Sequence, residues 1–278
     1  MSNQAFLAAE GQLDDVAPGS LVSVDGDEGH HAVTVKRVRA GEQLDLLGGR
    51  GRRAVVTVVD VAKRSFTARV DSLVDEPAPA TRVVLVQALA KGDRDLHAVE
   101  SAVELGVSAV VPWQAERCVV RWSGEKAAKG RHKWQATVRS AVKQSRRAWS
   151  PSVGAPSTTA QLAAAFADPT QPGPLGERGP DEGASEERPE RLALVLHEAA
   201  AEPLAERVRT ALDGLGAARS LDEVWLLVGP EGGISERELE SLRAAGAWPV
   251  ALGRHVLRSG TAGPAALVLA RHLVGDLD

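Results

Sequence analysis

Chemistry is most concentrated at Gly229-Pro230-Glu231-Gly232-Gly233, which sets one carboxylate among three glycines directly after the apolar run Val224-Trp225-Leu226-Leu227-Val228. Glycine tolerates a turn at positive φ and lets a ligand approach backbone amides, and a strand feeding through such a turn into a helix is a ligand site in many α/β proteins. The helix is announced by Ser235 and Glu238, which have the spacing of a capping box. A second stretch, Leu252-Gly253-Arg254-His255-Val256-Leu257-Arg258-Ser259-Gly260-Thr261-Ala262, follows a strand predicted over 249–252 and precedes a small-residue helix predicted over 261–273. A third loop begins at Leu196-His197-Glu198, after a strand predicted over 192–196. All three lie at the carboxyl ends of predicted strands, where open parallel sheets bind ligands.

Other chemistries lose ground. No Gly-x-Gly-x-x-Gly turn follows any strand and no Gly-x-x-x-x-Gly-Lys-Ser/Thr loop occurs, which removes the usual dinucleotide turn and the P-loop. Cys118 is the single cysteine, so an intramolecular disulfide and a cysteine-rich metal site are excluded, and it reads as a buried bystander. His30 and His31 lack the Cys/His company of a metal site and read as structural.

The glycine motif followed by Leu252-Gly253, Val256-Leu257-Arg258 and Thr261-Ala262 resembles the C-terminal signature of the RsmE family. These are SPOUT-class, S-adenosylmethionine-dependent methyltransferases acting on N3 of a uridine in 16S ribosomal RNA. Gln87-Ala88-Leu89-Ala90-Lys91-Gly92-Asp93, Ala102-Val103-Glu104-Leu105-Gly106-Val107, Glu116-Arg117-Cys118 and Gln144-Ser145-Arg146-Arg147 are family-like and stand in the family's order. So does the stretch from His30-His31 through Val35-Lys36-Arg37-Val38-Arg39 to Gly41. Arg254-His255, Ser259-Gly260 and Gln4-Ala5-Phe6 depart from the family pattern. The resemblance implies an α/β fold, a SPOUT-type parallel sheet with a C-terminal trefoil knot, preceded by a small PUA-like β-barrel domain. It also implies S-adenosyl-L-methionine as cofactor, 16S rRNA of the small ribosomal subunit as substrate, a homodimer, and neither metal nor membrane partner.

Residue by residue, the resemblance places the cofactor against Leu196 and His197, against Val228, Gly229, Pro230 and Gly232, and against Leu252, Gly253, Val256, Leu257, Thr261 and Ala262. Neutral uracil carries a proton on N3, so something must take it or stabilise the anion. Arg258 is assigned to orientation and charge stabilisation or, alternatively, to bracing the knot through an ion pair or carbonyl contact, and Glu231 is a possible base or a helix-capping group. RNA contacts are assigned to Arg37, Lys91, Arg94, Arg146 and Arg147. Two alternatives stay open: another SPOUT enzyme acting on a ribose 2′-hydroxyl or a different base, and a non-catalytic RNA-binding ribosome-assembly factor.

The elements that must position these groups fall into two parts. Short Val-rich strands predicted over 21–24, 44–47, 54–61 and 65–74 suggest a small barrel or sandwich. The Pro-containing break at 75–80 suggests a boundary, giving a PUA-like RNA-binding domain at 1–76 and a SPOUT domain at 77–278. Beyond it, a strand over 82–88, a helix over 93–105 and a strand over 107–111 follow β-α-β grammar and imply a parallel sheet. A long helix is predicted over 125–149, a further one over 203–215, and an acidic, Pro/Gly-rich insert at about 169–190 is expected to be disordered.

The net charge of −4 divides unevenly: −3 over 1–80, +7 over 81–150 and −8 over 151–278. Residues 117–149 hold ten basic side chains against one acidic, with Trp122, Trp134 and Trp149 interleaved, which suits phosphate attraction. Trp134, Val138, Ala141 and Val142 share one side of that helix and read as core or dimer contacts rather than base-stacking platforms. The amino terminus lacks a basic and apolar leader, and no apolar run reaches eighteen residues, so a cytoplasmic protein is expected.

Overall fold

The computed structural model describes residues 3–168, 173–176, 190–216 and 220–277. Apart from 173–176 and 190, the insert predicted at about 169–190 lies outside the described residues. Two compact units are present: Met1–Ala78 with Val142–Ser150, and Pro79–Ala141 with Pro151–Asp278.

The first unit is a five-stranded sheet. Strands β1 (Gln4–Leu7), β2 (Leu21–Val24), β3 (Gln43–Leu47), β4 (Arg52–Val61) and β5 (Phe66–Asp75) lie in the order β1-β3-β4-β5-β2. Only β1 and β3 pair in parallel. Alternation along each strand turns Ala54, Val56 and Val58 of β4 and Phe66, Ala68 and Val70 of β5 into one core. Phe6 meets Phe66 edge to face there, with ring centroids 5.9 Å apart.

Helix α1 (Gly26–His30) runs into a π-helical turn, His31–Val35. Arg37 closes it at φ 56, where the Val38 N–H donates to the Ala32 carbonyl at 3.1 Å. That left-handed position is usually glycine. Val142–Ser150 is held to this unit by Lys143, whose ammonium pairs with Glu28 at 3.0 Å, and by Trp149, whose indole N–H donates to the Glu76 carbonyl at 2.9 Å. His31 sits in this basic neighbourhood; burial first, and the Lys143 ammonium second, hold its pKa below the ordinary imidazole range.

The second unit is a parallel α/β sheet. Its strands are β6 (Arg82–Ala88), β7 (Ala109–Gln114), β8 (Ser152–Val153), β9 (Ser157–Thr158), β10 (Arg191–Leu196), β11 (Glu223–Val228) and β12 (Trp248–Val250). They lie in the order β12-β10-β11-β6-β7-β8, with β9 also on β7, and every pairing is parallel. Every residue of β6 and β11 is buried, as expected for central parallel strands covered on both faces.

The helices are α2 (Arg94–Glu104), α3 (Glu125–Ser145), α4 (Thr159–Ala167), α5 (Leu204–Leu215), α6 (Glu236–Ala244) and α7 (Ser259–Leu273). The predicted core side of α3 is buried: Trp134, Val138, Ala141 and Val142 are each at most 4% exposed. The helix ends at Ser145, short of the predicted Trp149, because Arg146 turns left-handed at φ 57. Small residues let α7 press on the sheet: a Cβ on Gly263 would stand 2.9 Å from Leu85 Cδ1. Among the described residues no helix is long and apolar enough to cross a membrane.

Candidate active site

Register brings the functional loops together. Val228 at the end of β11 is paired with Gln87 of β6 on one side and Leu196 of β10 on the other, and Leu196 pairs with Val250 of β12. Three strands therefore end in one row, and the His197 N–H ties the row by donating to the Val250 carbonyl at 3.0 Å. The loops that leave this row enclose a cavity of about 630 Å³.

The loop after β11 is locally determined. The Gly233 N–H donates to the Pro230 carbonyl at 2.9 Å and Gly233 takes φ +74, so the Pro230–Gly233 turn needs a residue without a Cβ. Both capping-box hydrogen bonds then form: Ser235 Oγ accepts from the Glu238 N–H at 3.3 Å, and the Glu238 carboxylate accepts from the Ser235 N–H at 3.2 Å. The loop after β12 stops where Arg258 caps α7, its carbonyl accepting from the N–H groups of Thr261 at 2.8 Å and Ala262 at 2.9 Å.

Leu196 and His197 line the cavity, as do Val228, Gly229, Pro230 and Gly232. From the third loop, Leu252, Gly253, Val256, Leu257 and Ala262 line it. Thr261 does not belong to this lining: α7 begins two residues earlier than expected, and Thr261 is exposed on its first turn. The His197 ring is turned to its own loop, with Nδ1 accepting from the Ala199 N–H at 3.2 Å.

Arg258 and Glu231 both face the cavity, in different electrostatic settings. The exposed Arg258 side chain has no hydrogen-bond or ion-pair partner among the described residues. Glu231 is paired with Arg94 at 2.9 Å, and Arg94 also lines the cavity. Arg94, assigned to RNA contact, is thus part of the pocket wall. Lys91 is exposed before α2; Arg37 is exposed in the first unit, where Arg146 and Arg147 are partly buried.

Sequence reasoning did not assign Arg117, His255 or Ile234 to the site, yet all three line the cavity. The motif Glu116-Arg117-Cys118 served only as a family marker, because nothing local says that a loop after β7 reaches the loop after β11. Cys118 is buried, and that burial pushes its thiol above the ordinary range, which suits an inert side chain. Among the described residues no group of three His, Cys, Asp or Glu side chains could hold a metal ion.

Residues 76–271 match the family model described as RNA methyltransferase domain, and residues 24–71 match RNA methyltransferase PUA domain. The chain is 40% identical over 249 residues to ribosomal RNA small subunit methyltransferase E of Mycobacterium tuberculosis, covering 90% of this chain and 85% of that one. It is 27% identical to the protein of the same name from Bacillus subtilis, covering 92% and 91%. Among solved structures, ribosomal RNA small subunit methyltransferase E from Neisseria gonorrhoeae bound to S-adenosyl methionine is similar, with TM-score 0.77, 26% identity and full coverage of both chains. A Legionella pneumophila methyltransferase in complex with the same cofactor is similar with TM-score 0.77 and 26% identity over 98% of each chain.

Proposed function

The chain belongs to the ribosomal RNA small subunit methyltransferase E family of RNA methyltransferases, and we propose that it transfers a methyl group from S-adenosyl-L-methionine to N3 of a specific uridine in 16S rRNA of the small subunit. The observation that carries this reading is the row of strand ends, whose three loops form one pocket lined largely by backbone and small or apolar residues.

The residues present fit the cofactor. No atom lies within 4 Å of where a Cβ on Gly253 would point, and Gly253 takes φ +148, so a ligand can approach its backbone. Leu196, Val228, Leu252, Val256 and Leu257 supply apolar surface, while His197, Gly229, Pro230, Gly232 and Ala262 complete the set that would hold the cofactor. Once bound, it supplies an electrophilic methyl group on a sulfonium that leaves as a neutral thioether. This chain's contribution is positioning and charge. Glu231 accepts the N3 proton, and the freed nitrogen lone pair forms the new N–CH₃ bond. Arg258 donates to a uracil oxygen and disperses the negative charge that develops there. Arg94, paired with Glu231, keeps that carboxylate aimed at the cavity mouth. Replacing Arg258 with Lys keeps the charge but loses the planar fork, and is expected to lower kcat by about 10-fold with cofactor Kd unchanged.

The first unit is read as a PUA-like barrel forming an RNA-binding domain over 1–76, and 77–278 as a SPOUT domain whose last loops thread a trefoil knot. The match over residues 24–71 supports the PUA-like assignment, and the match over residues 76–271 together with the all-parallel sheet supports the methyltransferase domain. Arg37 supports the RNA role in its own way: a non-glycine residue held at φ 56 and exposed keeps a conformation that disfavours an L side chain by about 1 kcal/mol. Arg37→Gly is therefore expected to leave the melting temperature unchanged or higher while weakening RNA binding several-fold and lowering the salt slope by roughly one unit. Lys91, Arg146 and Arg147 would extend the phosphate contacts. A cytoplasmic homodimer is the assembly we infer; Val256, 80% exposed beside the pocket, gives a second copy apolar surface to cover.

Calorimetric titration of the purified chain with S-adenosylmethionine tests the reading. One cofactor per chain is expected; absence of binding would remove the methyl donor from it.

A further inference from the structure

Resting on the reading of the pocket as a cofactor site, we infer that Glu116-Arg117 is a strap across the glycine loop, and that Arg117 is a positioning residue for cofactor binding rather than an RNA contact. The strap leaves the end of β7, two strands away from β11 in the order β11-β6-β7. Its residues must therefore cross the end of β6, a lateral distance of about 9 to 10 Å at the usual strand spacing.

The Glu116 half is anchored at the start of α6. Its carboxylate accepts from the Ser235 hydroxyl at 2.6 Å and from Arg237 at 3.0 Å, and its backbone N–H donates to Glu238 Oε1 at 2.8 Å. A serine hydroxyl has one proton, and the 2.6 Å geometry assigns it to Glu116 rather than to Glu238 Oε2 at 3.2 Å. That bond, ahead of the nearby arginines, holds Glu116 below the usual carboxylate range. Glu238 is fixed in turn: the Thr159 hydroxyl donates to it at 2.5 Å and accepts from the Trp113 indole N–H at 3.0 Å. Trp113, Thr159 and Glu238 are at most 8% exposed, so the exposed Glu116 carboxylate and its backbone N–H are tied to groups that belong to the core.

The Arg117 half holds the loop itself. Its guanidinium donates to the Gly232 carbonyl at 3.2 Å, and its stem lies where a side chain on Gly232 would go: a Cβ there would stand 3.2 Å from Arg117 Cβ and 3.3 Å from its carbonyl oxygen. The Gly232 peptide is thereby fixed on one side by Arg117, while the Pro230–Gly233 turn fixes the other. Gly232 is glycine to admit the strap as well as to bare the loop. An arginine in a basic segment would ordinarily be assigned to phosphate; here one edge of it is already engaged in shaping the pocket wall.

Arg117→Met keeps the stem and removes the donors, Arg117→Lys restores a charge and a donor, and Glu116→Gln weakens the anchor. Cofactor Kd by calorimetry, RNA Kd as a function of salt, and thermal melting are measured on the full chain. Arg117→Met is expected to raise cofactor Kd about 10-fold without changing RNA Kd or its salt slope, with partial recovery in Arg117→Lys. Glu116→Gln, whose isosteric side chain preserves packing, is expected to raise cofactor Kd several-fold. Unchanged cofactor Kd in both Arg117→Met and Glu116→Gln, or weaker RNA binding with a salt slope lower by about one unit, would overturn the strap. A wild-type chain that binds no cofactor would instead overturn the functional reading on which it rests.

Discussion

Gly229→Val is expected to abolish methyl transfer and to raise cofactor Kd at least about 100-fold, equivalent to about 2.7 kcal/mol. Gly229 is the first residue after β11 and lines the pocket. A Cβ there would stand 2.7 Å from Ile234 Cγ1, closer than real carbon atoms approach, and a tight 3.2 Å from Cδ1. Ile234 is only 7% exposed and immediately precedes the Ser235 cap, so it cannot swing into solvent. Forcing methyl groups into packed surroundings costs about 1–3 kcal/mol, and the loop can relieve the clash only by moving the wall the cofactor needs. Calorimetry on the variant, with circular dichroism to show that the sheet persists, reads the effect. Retained affinity within a few-fold of wild type would mean that the loop after β11 is not the cofactor wall.

Glu223→Ala is expected to lower the stability of the second unit by about 3–5 kcal/mol, the cost of removing one partner from a buried ion pair. Glu223 is 2% exposed at the opposite end of β11 from the pocket, and register sets it between Arg82 of β6 and Arg191 of β10. It pairs with Arg191 at 2.8 Å and Arg82 at 3.5 Å, and accepts from the Trp225 indole N–H at 2.8 Å. The Arg82 and Arg191 side chains are 11% and 14% exposed, so removing the carboxylate leaves two like charges facing each other where water barely reaches. Urea unfolding measures the loss, and Glu223→Gln should fall between wild type and Glu223→Ala because the amide oxygen can still accept. A stability change under 1 kcal/mol would show that the cluster is solvated and structurally idle.

Local signals were legible and nonlocal ones were not. The run Val224 to Val228 announces a central strand because parallel strands are buried on both faces, and Ser235 with Glu238 announces α6 because a capping box needs four residues only. Leu196, Val228 and Val250 become neighbours through register alone, which no window of sequence contains. The same limit hid Arg117, whose partner Gly232 is 115 residues away, and the grouping of Val142–Ser150 with the first unit. The left-handed Arg37 and Arg146 carry no signal in sequence, since the residue type that marks such a position is glycine or asparagine. That is why the helix predicted to Trp149 stops at Ser145. Thr261 is assigned to the cofactor by the family motif alone; the helix it was expected to open starts two residues earlier behind the Arg258 cap, which leaves Thr261 exposed on the first turn.

The most direct test is to incubate the protein with methyl-labelled S-adenosylmethionine and small ribosomal subunits lacking the modification, digest the RNA, and identify the labelled nucleoside by mass and retention. Label in 3-methyluridine is the expected result, and it should disappear with Gly229→Val while falling about 10-fold in rate with Arg258→Lys. Label in a 2′-O-methylated nucleoside or in another base would contradict transfer to uridine N3.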